Sequence, residues 1–385
     1  MMNVLRDVRF SVRLLWRSPG FTAVALLALA LGVGANTAIF SVVYGTLLAP
    51  LPYPEPDQLV MVWSRIQGNR NVTAAGDFRD WKEMSSAFQD LNAWTGGAVN
   101  LATPERPEQV EAVRATPGFY SMMGVPFLHG RDFTKDEGRP GEDQVIVLRY
   151  RIWQERFGSD PGIVGRQIRV DGKPRTVVGV LSALPSEFRE PPSVVVPLAF
   201  APEQLNHDFH WLLVMGRLKP DVTLARANAD MRSVAARIAE AHPKSNTGWT
   251  ATVEPLKHNF LPRETRTALW LLLGAVGFVL LIACVNVANL LLARGTARLR
   301  ELAIRSSIGA SRARLFSQLI AESIVLSLFG GALGVGLSSL IVRGIVAIMP
   351  SNTLPYEADL TLNVAVLAFT LVAACLSGVL AGCAP

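Results

Sequence analysis

The chain has 385 residues, half of them hydrophobic and only 18% charged, with a mean hydropathy of +0.30. That balance excludes an ordinary soluble protein, and the charged residues that remain exclude a chain that is membrane throughout. The net charge of +6 does not point to nucleic acid, because the basic residues crowd beside apolar segments; no nucleic-acid partner is expected.

Residues 4–17 read as an amphipathic helix, with Val4, Leu5, Val8, Val12, Leu15 and Trp16 on one side and Arg6, Arg9, Arg13 and Arg17 on another. Such a segment lies along the inner headgroup region, with membrane lipid as its partner, before Pro19 and Gly20 turn the chain into the bilayer. Four windows then carry no Asp, Glu, Lys or Arg: 21–48, 268–293, 324–342 and 362–384. Each is long enough, or nearly so, for the roughly 20 residues that span a bilayer. The first is too long for the roughly 7–15-residue core of a signal peptide and is read as an uncleaved anchor.

Between the first two windows, the chain reads as α+β. Strand-like runs include 143–148, 167–181, 193–198, 211–218 and 250–256, with Asp171-Gly172 as a hairpin turn. Helical stripes run over 77–88, through Phe78, Trp81, Met84 and Phe88, and over 223–241, ending before Pro243. The expected fold class is therefore a membrane protein, with four transmembrane α-helices and a large α+β extracytoplasmic domain between the first two.

Arginine distribution orients the spans. Arg294, Arg298, Arg300, Arg305, Arg312 and Arg314 crowd the segment between the second and third windows, whereas the loop 350–363 holds Glu357 and Asp359 and no base. Short Lys/Arg-rich loops stay cytoplasmic. The N-terminus, the hairpin and the C-terminus are thus placed inside, and the domain from about 50 to 265 outside.

Recognisable catalytic chemistry is missing from the sequence. There is no GxxxxGK[ST], HExxH or GxSxG, and Cys284, Cys375 and Cys383 all lie in apolar windows. The segment "HDFH" (207–210) offers two imidazoles and a carboxylate, but its spacing on a strand or loop is unremarkable. No enzyme activity, cofactor or metal is expected. Ion-coupled carriers keep ionisable groups at mid-membrane, and these windows have none. Their polar and small residues, Gly32, Gly34, Asn36, Asn286, Asn289, Gly330, Gly331 and Gly334, read instead as helix-packing positions, with Gly330 and Gly334 in GxxxG spacing.

The basic segment has more structure than an orienting loop requires. Glu301 and Arg305 form an i,i+4 pair, Gly309 suits a left-handed helix cap, and Ser311 suits the N-cap of the next helix. The result is a helical hairpin tipped by Ile308, Gly309, Ala310 and Ser311, with Arg300, Arg305, Arg312 and Arg314 available to an acidic partner.

"RELAIRSSIGASRARLFSQLIAES" (300–323) followed by "GGALG" (330–334) strongly resembles the segment after the large domain in MacB/FtsX-type ABC transporter permeases. "LRDVRFSVRLLWRSPGFTAVALLALALGVGANTAIFSVV" (5–43) is similar to the opening of the family's duplicated, ATPase-less permeases, and "RLKPDVTLARANADM" (217–231) to part of its extracytoplasmic core domain. The chain resembles one four-span half of that subgroup, either a natural short form or part of a duplicated permease.

The resemblance implies a permease subunit in the bacterial inner membrane, driven by a separate ABC-type ATP-binding subunit docked on the hairpin. It further implies mechanotransmission, pairing with a second permease copy or half, and a periplasmic adaptor as a further partner. The expected layout is 1–20 cytoplasmic helix, 21–48 first span, 49–266 periplasmic core domain with an outer lobe at about 116–204, and 267–293 second span. The coupling hairpin at 294–318, third span at 319–349, periplasmic loop at 350–361 and fourth span at 362–385 complete it. The alternative from another class is a membrane-anchored periplasmic receptor or scaffold without transport.

Overall fold

The computed structural model describes residues 13, 15–16, 18–102, 107–183, 193–259, 262–297, 312–348 and 360–383. Most of the N-terminal amphipathic segment and the hairpin tip fall outside these residues. Of that segment, Leu15 is buried and Trp16 exposed, so the two do not share one environment. The chain divides into two units, Met1–Ala49 with Leu261–Pro385, and Pro50–Phe260. The first unit opens with α1 (Pro19–Val43), whose first turn carries Pro19, where a missing N–H is harmless. A π-helical turn, Tyr44–Leu48, ends it.

Pro50–Phe260 is built on a sheet. β1 (Leu59–Ile66), β2 (Asn69–Asn71) and β3 (Thr73–Ala74) lead into α2 (Ala75–Met84), followed by β4 (Phe88–Ala102) and β5 (Pro107–Ala115). Next come α3 (Phe119–Met123), β6 (Phe127–Gly130), β7 (Val145–Leu148), α4 (Tyr150–Phe157), β8 (Gln167–Val170), β9 (Lys173–Leu181) and β10 (Ser193–Pro197). β11 (His210–Leu218), α5 (Leu224–Ala241), α6 (Pro243–Asn246) and β12 (Trp249–Pro255) complete the unit. Among the described residues the order is β12-β1-β11-β4-β5-β10-β7-β9-β6, with β8 joining β4 and β9.

Strand alternation sends neighbouring side chains to opposite faces, and both faces of the central strands are covered. Val60 and Val62 of β1 enter a core with Phe78 and Trp81 of α2 and Met231, Val234 and Ile238 of α5. Leu59 and Met61 enter another, with Phe119, Met122 and Met123 of α3. A third core gathers Ile146, Leu148, Ile152, Trp153, Val194 and Val196 around α4. Each fully buried Leu or Ile contributes about 1.5–3 kcal/mol.

The Asp171-Gly172 turn reads the same in sequence and structure. Both residues have positive φ, as a two-residue hairpin of this twist requires, and Val170 pairs with Lys173 across it. The first helical stripe is shorter than its periodicity predicts. Helix α2 stops at Met84, and Phe88 instead opens β4. The cause is a tertiary contact: Ser85 Oγ donates to Asp230 Oδ2 at 2.5 Å, and Ser86 donates to Asp230 from its backbone (3.1 Å) and its hydroxyl (3.0 Å). These bonds tie the chain to α5 and end the helix.

The remaining helices belong to the first unit: α7 (Arg263–Ala297), α8 (Arg312–Ile348) and α9 (Val364–Cys383). Four stretches among the described residues are long and apolar enough to cross a membrane: Pro19–Leu48, Arg263–Ala293, Ile320–Ile345 and Val364–Cys383. The third stretch begins before the charge-free window does and includes Glu322, which is buried near its start.

Candidate functional site: the small-residue helix interface

Helix α8 meets α1 through glycine. A methyl added to Gly34 would stand 3.0 Å from the Gly334 carbonyl oxygen and 3.3 Å from its Cα. One added to Gly330 would stand 2.6 Å from Leu29 Cβ. Residues four apart share a helix face, so Gly330 and Gly334 form a groove that admits the α1 backbone, as small-residue interfaces do in membranes. Gly331, one position round, faces Ala374 of α9 with 2.9 Å for an added methyl, and Gly32 faces Leu280 and Ala283 of α7.

Polar side chains fix the same bundle. Asn36 donates to its own Gly32 carbonyl at 2.9 Å and across to the Val276 carbonyl of α7 at 2.7 Å. The hydroxyls of Thr37 and Thr370 lie 3.0 Å apart, within hydrogen-bond reach of one another, and each is also 2.8 Å from a carbonyl four residues back in its own helix. Phe40 and Phe369 stack with centroids 3.9 Å apart. Helix α1 therefore touches α7, α8 and α9 on different faces.

The sequence-derived positions divide into three groups. Gly32, Gly34, Asn36, Gly330, Gly331 and Gly334 come together in this bundle. Asn286 and Asn289 do not; both are exposed on α7, whose buried side carries Ala283, Val287 and Ala288. Arg300, Glu301, Arg305, Ile308, Gly309, Ala310 and Ser311 lie outside the described residues, and Arg312 and Arg314 open α8.

Other positions in the interface escape a sequence reading. Gly378 and Gly382 of α9 lie against α8, where methyls would stand 2.8 Å from Ile324 Cα and 3.2 Å from Ile320 Cα. Their four-residue spacing repeats that of Gly330 and Gly334 and was the available signal.

In the Pro50–Phe260 unit, one arginine has a comparable structural role. Buried Arg217 donates from Nε to the Met122 carbonyl at 2.8 Å and from its Nη atoms to the Pro54 carbonyl at 3.2 Å. It thereby fastens the segment before β1 and the end of α3 to β11. Elsewhere in this unit, donor atoms of Asp80, His207 and His242 lie within 4.8 Å of one another.

Comparisons with known proteins match the chain in two parts. Residues 22–234 match the MacB-like periplasmic core domain, and residues 273–385 match the FtsX-like permease C-terminal domain. Macrolide export ATP-binding/permease protein MacB of Burkholderia thailandensis is 28% identical over 254 residues, which cover 62% of this chain and 38% of that protein. The protein of the same name from Chromobacterium violaceum is 26% identical over 337 residues, covering 82% and 49%. The chain thus spans less than half the length of these relatives.

Among solved structures, a domain of a putative permease from Porphyromonas gingivalis aligns at 15% identity and TM-score 0.42, covering 53% of this chain and 92% of that one. The periplasmic region of MacB from Actinobacillus actinomycetemcomitans aligns at 14% and 0.39, covering 52% and 90%. With a core-domain match over more than half its length, followed by a permease match over its last three spans, the chain belongs to the MacB/FtsX-type ABC transporter permease family.

Proposed function

We propose that the chain works as a permease subunit in the bacterial inner membrane, with Pro50–Phe260 in the periplasm, and that a separate ATP-binding subunit supplies the ATP hydrolysis. The observation that carries this reading is the tandem of core-domain and permease matches in one chain, laid out as one span, a large domain and three further spans. The curated relatives named above combine ATP-binding and permease functions.

The coupling element is the hairpin at 294–318, docked through Arg305, Arg312 and Arg314. The glycine contacts of α1 with α8 support a mechanical role. Backbones in direct contact move as a body, so a displacement of α8 would carry α1, the helix that leads in sequence into the periplasmic domain. Pairing with a second permease copy or half completes the transporter, and a periplasmic adaptor is a further partner.

Purification of the detergent-solubilised chain with a candidate ATP-binding subunit tests this reading. Stable co-isolation, with ATP hydrolysis altered by the permease, is expected. A chain that binds no ATP-binding subunit, yet retains a ligand or a periplasmic protein, would instead be a receptor or scaffold.

A further inference from the structure

Two carboxylates and two imidazoles meet inside the Pro50–Phe260 unit, in a cluster that the transport reading leaves unused. Asp77 and Asp80 stand three residues apart on one face of α2. His207 lies in the segment before β11, and His210 opens that strand. His242 follows the end of α5, Asn246 closes α6 and Trp249 opens β12.

His207 and His210 use their first proton in the same way. His207 Nδ1 lies 2.7 Å from Asp77 Oδ1, and His210 Nδ1 lies 3.2 Å from the Asp208 carbonyl. A carboxylate and a carbonyl can only accept, so both rings carry a proton on Nδ1, and in the neutral form each Nε2 is a bare lone pair. Each lone pair faces a carboxylate oxygen. Asp80 Oδ2 is 3.7 Å from His207 Nε2, and Asp77 Oδ2 is 3.8 Å from His210 Nε2. His210 Nε2 is buried without a hydrogen-bond partner.

Charge is unbalanced as well. The other Asp80 oxygen accepts from Arg79 Nε at 3.1 Å and Nη2 at 3.0 Å. Asp77, only 3% exposed, accepts from Asn246 Nδ2 at 2.8 Å and from His207. Among the described residues, Arg79 is the one Lys or Arg paired with either carboxylate. Arg237 and Glu240 of α5 and Lys244 of α6 are exposed and pair with neither. With both rings neutral, the cluster thus keeps one negative charge buried without a counter-charge, which is costly away from water.

A single proton on Nε2 removes both faults. It cancels the charge and turns a lone pair that opposes a carboxylate into a donor towards it. A hydrogen bond of about 2.7–3.2 Å is shorter than either gap, so the new donor would draw α2 towards the segment before β11. A second proton has less to gain. The charge is by then balanced, and the His242 ring, stacked on His207 with centroids 3.9 Å apart, adds repulsion when it is itself protonated.

We propose that Asp77, Asp80, His207 and His210 form a proton-binding site, which takes up one proton on an imidazole Nε2 and thereby fastens α2 to the start of β11 and to α6. His207, placed between both carboxylates, is the main carrier. Imidazole is the side chain that changes charge between about pH 5 and 8, so the site responds to the acidity of the compartment that holds the domain. It stands apart from the transport reading, and neither depends on the other. Stability linked to a proton that the folded state holds and unfolding releases is present on the acid side and falls as pH rises.

The test is thermal unfolding of the full chain in detergent at pH 6, 7 and 8, followed by tryptophan fluorescence. The wild-type midpoint should fall by about 2–4 °C or more across this range. Asp77→Asn keeps the shape of the side chain and an acceptor for His207 while removing the unbalanced charge, and its midpoint should stay nearly level. His207→Gln should also lose most of the dependence, whereas His242→Gln, at an exposed ring, should keep it. Asp77→Asn decides the matter even if His207→Gln fails to fold. A wild-type midpoint level from pH 6 to 8 would overturn the site. So would a dependence that survives in Asp77→Asn, because the proton would then be bound elsewhere.

Discussion

Gly34 and Gly334 meet backbone to backbone: an added methyl on Gly334 would stand 3.0 Å from the Gly34 amide nitrogen. Neither residue can acquire a side chain unless α1 and α8 separate. Gly334→Leu should therefore destabilise the bundle by at least about 1–3 kcal/mol, the range for overpacking a filled interior. Gly336→Leu, two residues away with nothing within 4 Å, should be near neutral. Unfolding both variants in a detergent titration checks this, and equal midpoints would show that the glycine pair does not hold the helices.

Arg217 should be as sensitive as a core leucine. Replacing it with Met keeps an unbranched apolar stem but leaves the buried Met122 carbonyl without its donor, at about 1–3 kcal/mol for a buried group left unsatisfied, and also breaks the tie to the Pro54 carbonyl. Loss of protease resistance in the large domain of Arg217→Met, with the membrane helices still resistant, is the expected result.

Asp230 predicts an acid limb in the domain's stability. Partial burial pushes its carboxyl up, but the hydrogen bonds from Ser85 and Ser86 outweigh that, and its pKa lies below the ordinary aspartate value. The unfolded chain then takes up this proton at higher pH than the folded one. The stabilisation is fully present above the unfolded value of about 3.9 and is lost as pH falls through the folded value. Thermal unfolding followed downward from about pH 5 should show a shallower decline in Asp230→Asn than in wild type.

Single cysteines at Ser159 and Ser311, in a background lacking Cys284, Cys375 and Cys383, report the topology. An impermeant thiol reagent applied to whole cells with a permeabilised outer membrane should label position 159 and spare 311. The reverse pattern would invert the orientation proposed for the large domain.

The fold class was legible because its signals are strong over long stretches. Charge-free windows mark spans, and a period of 3.6 marks α5 over 18 residues. The features that were not legible depend on partners distant in sequence. β4 runs 15 residues through Gly96-Gly97, where no alternating pattern announces a strand, and it is held by pairing with β5, β8 and β11. The end of α2 is set by Asp230, more than a hundred residues later. In the bundle, the glycine spacing marked Gly330 and Gly334 as small, but nothing local distinguishes the Asn36 bond to Val276 from the exposed Asn286 and Asn289. Likewise "HDFH" placed His207 beside His210, whereas the carboxylates that face the His207 ring are those of Asp77 and Asp80, from α2.

The central claim is that the basic hairpin couples this permease to an ATP-binding subunit. Affinity of that subunit for the triple variant Arg305→Glu, Arg312→Glu and Arg314→Glu tests it most directly, with thiol labelling in the same variant to establish that its orientation is kept. Breaking one buried, hydrogen-bonded charge pair at an interface costs about 2–5 kcal/mol. Affinity should therefore weaken by about tenfold or more, and the permease should lose its effect on ATP hydrolysis. A correctly oriented variant that binds and stimulates its partner as wild type does would contradict the claim.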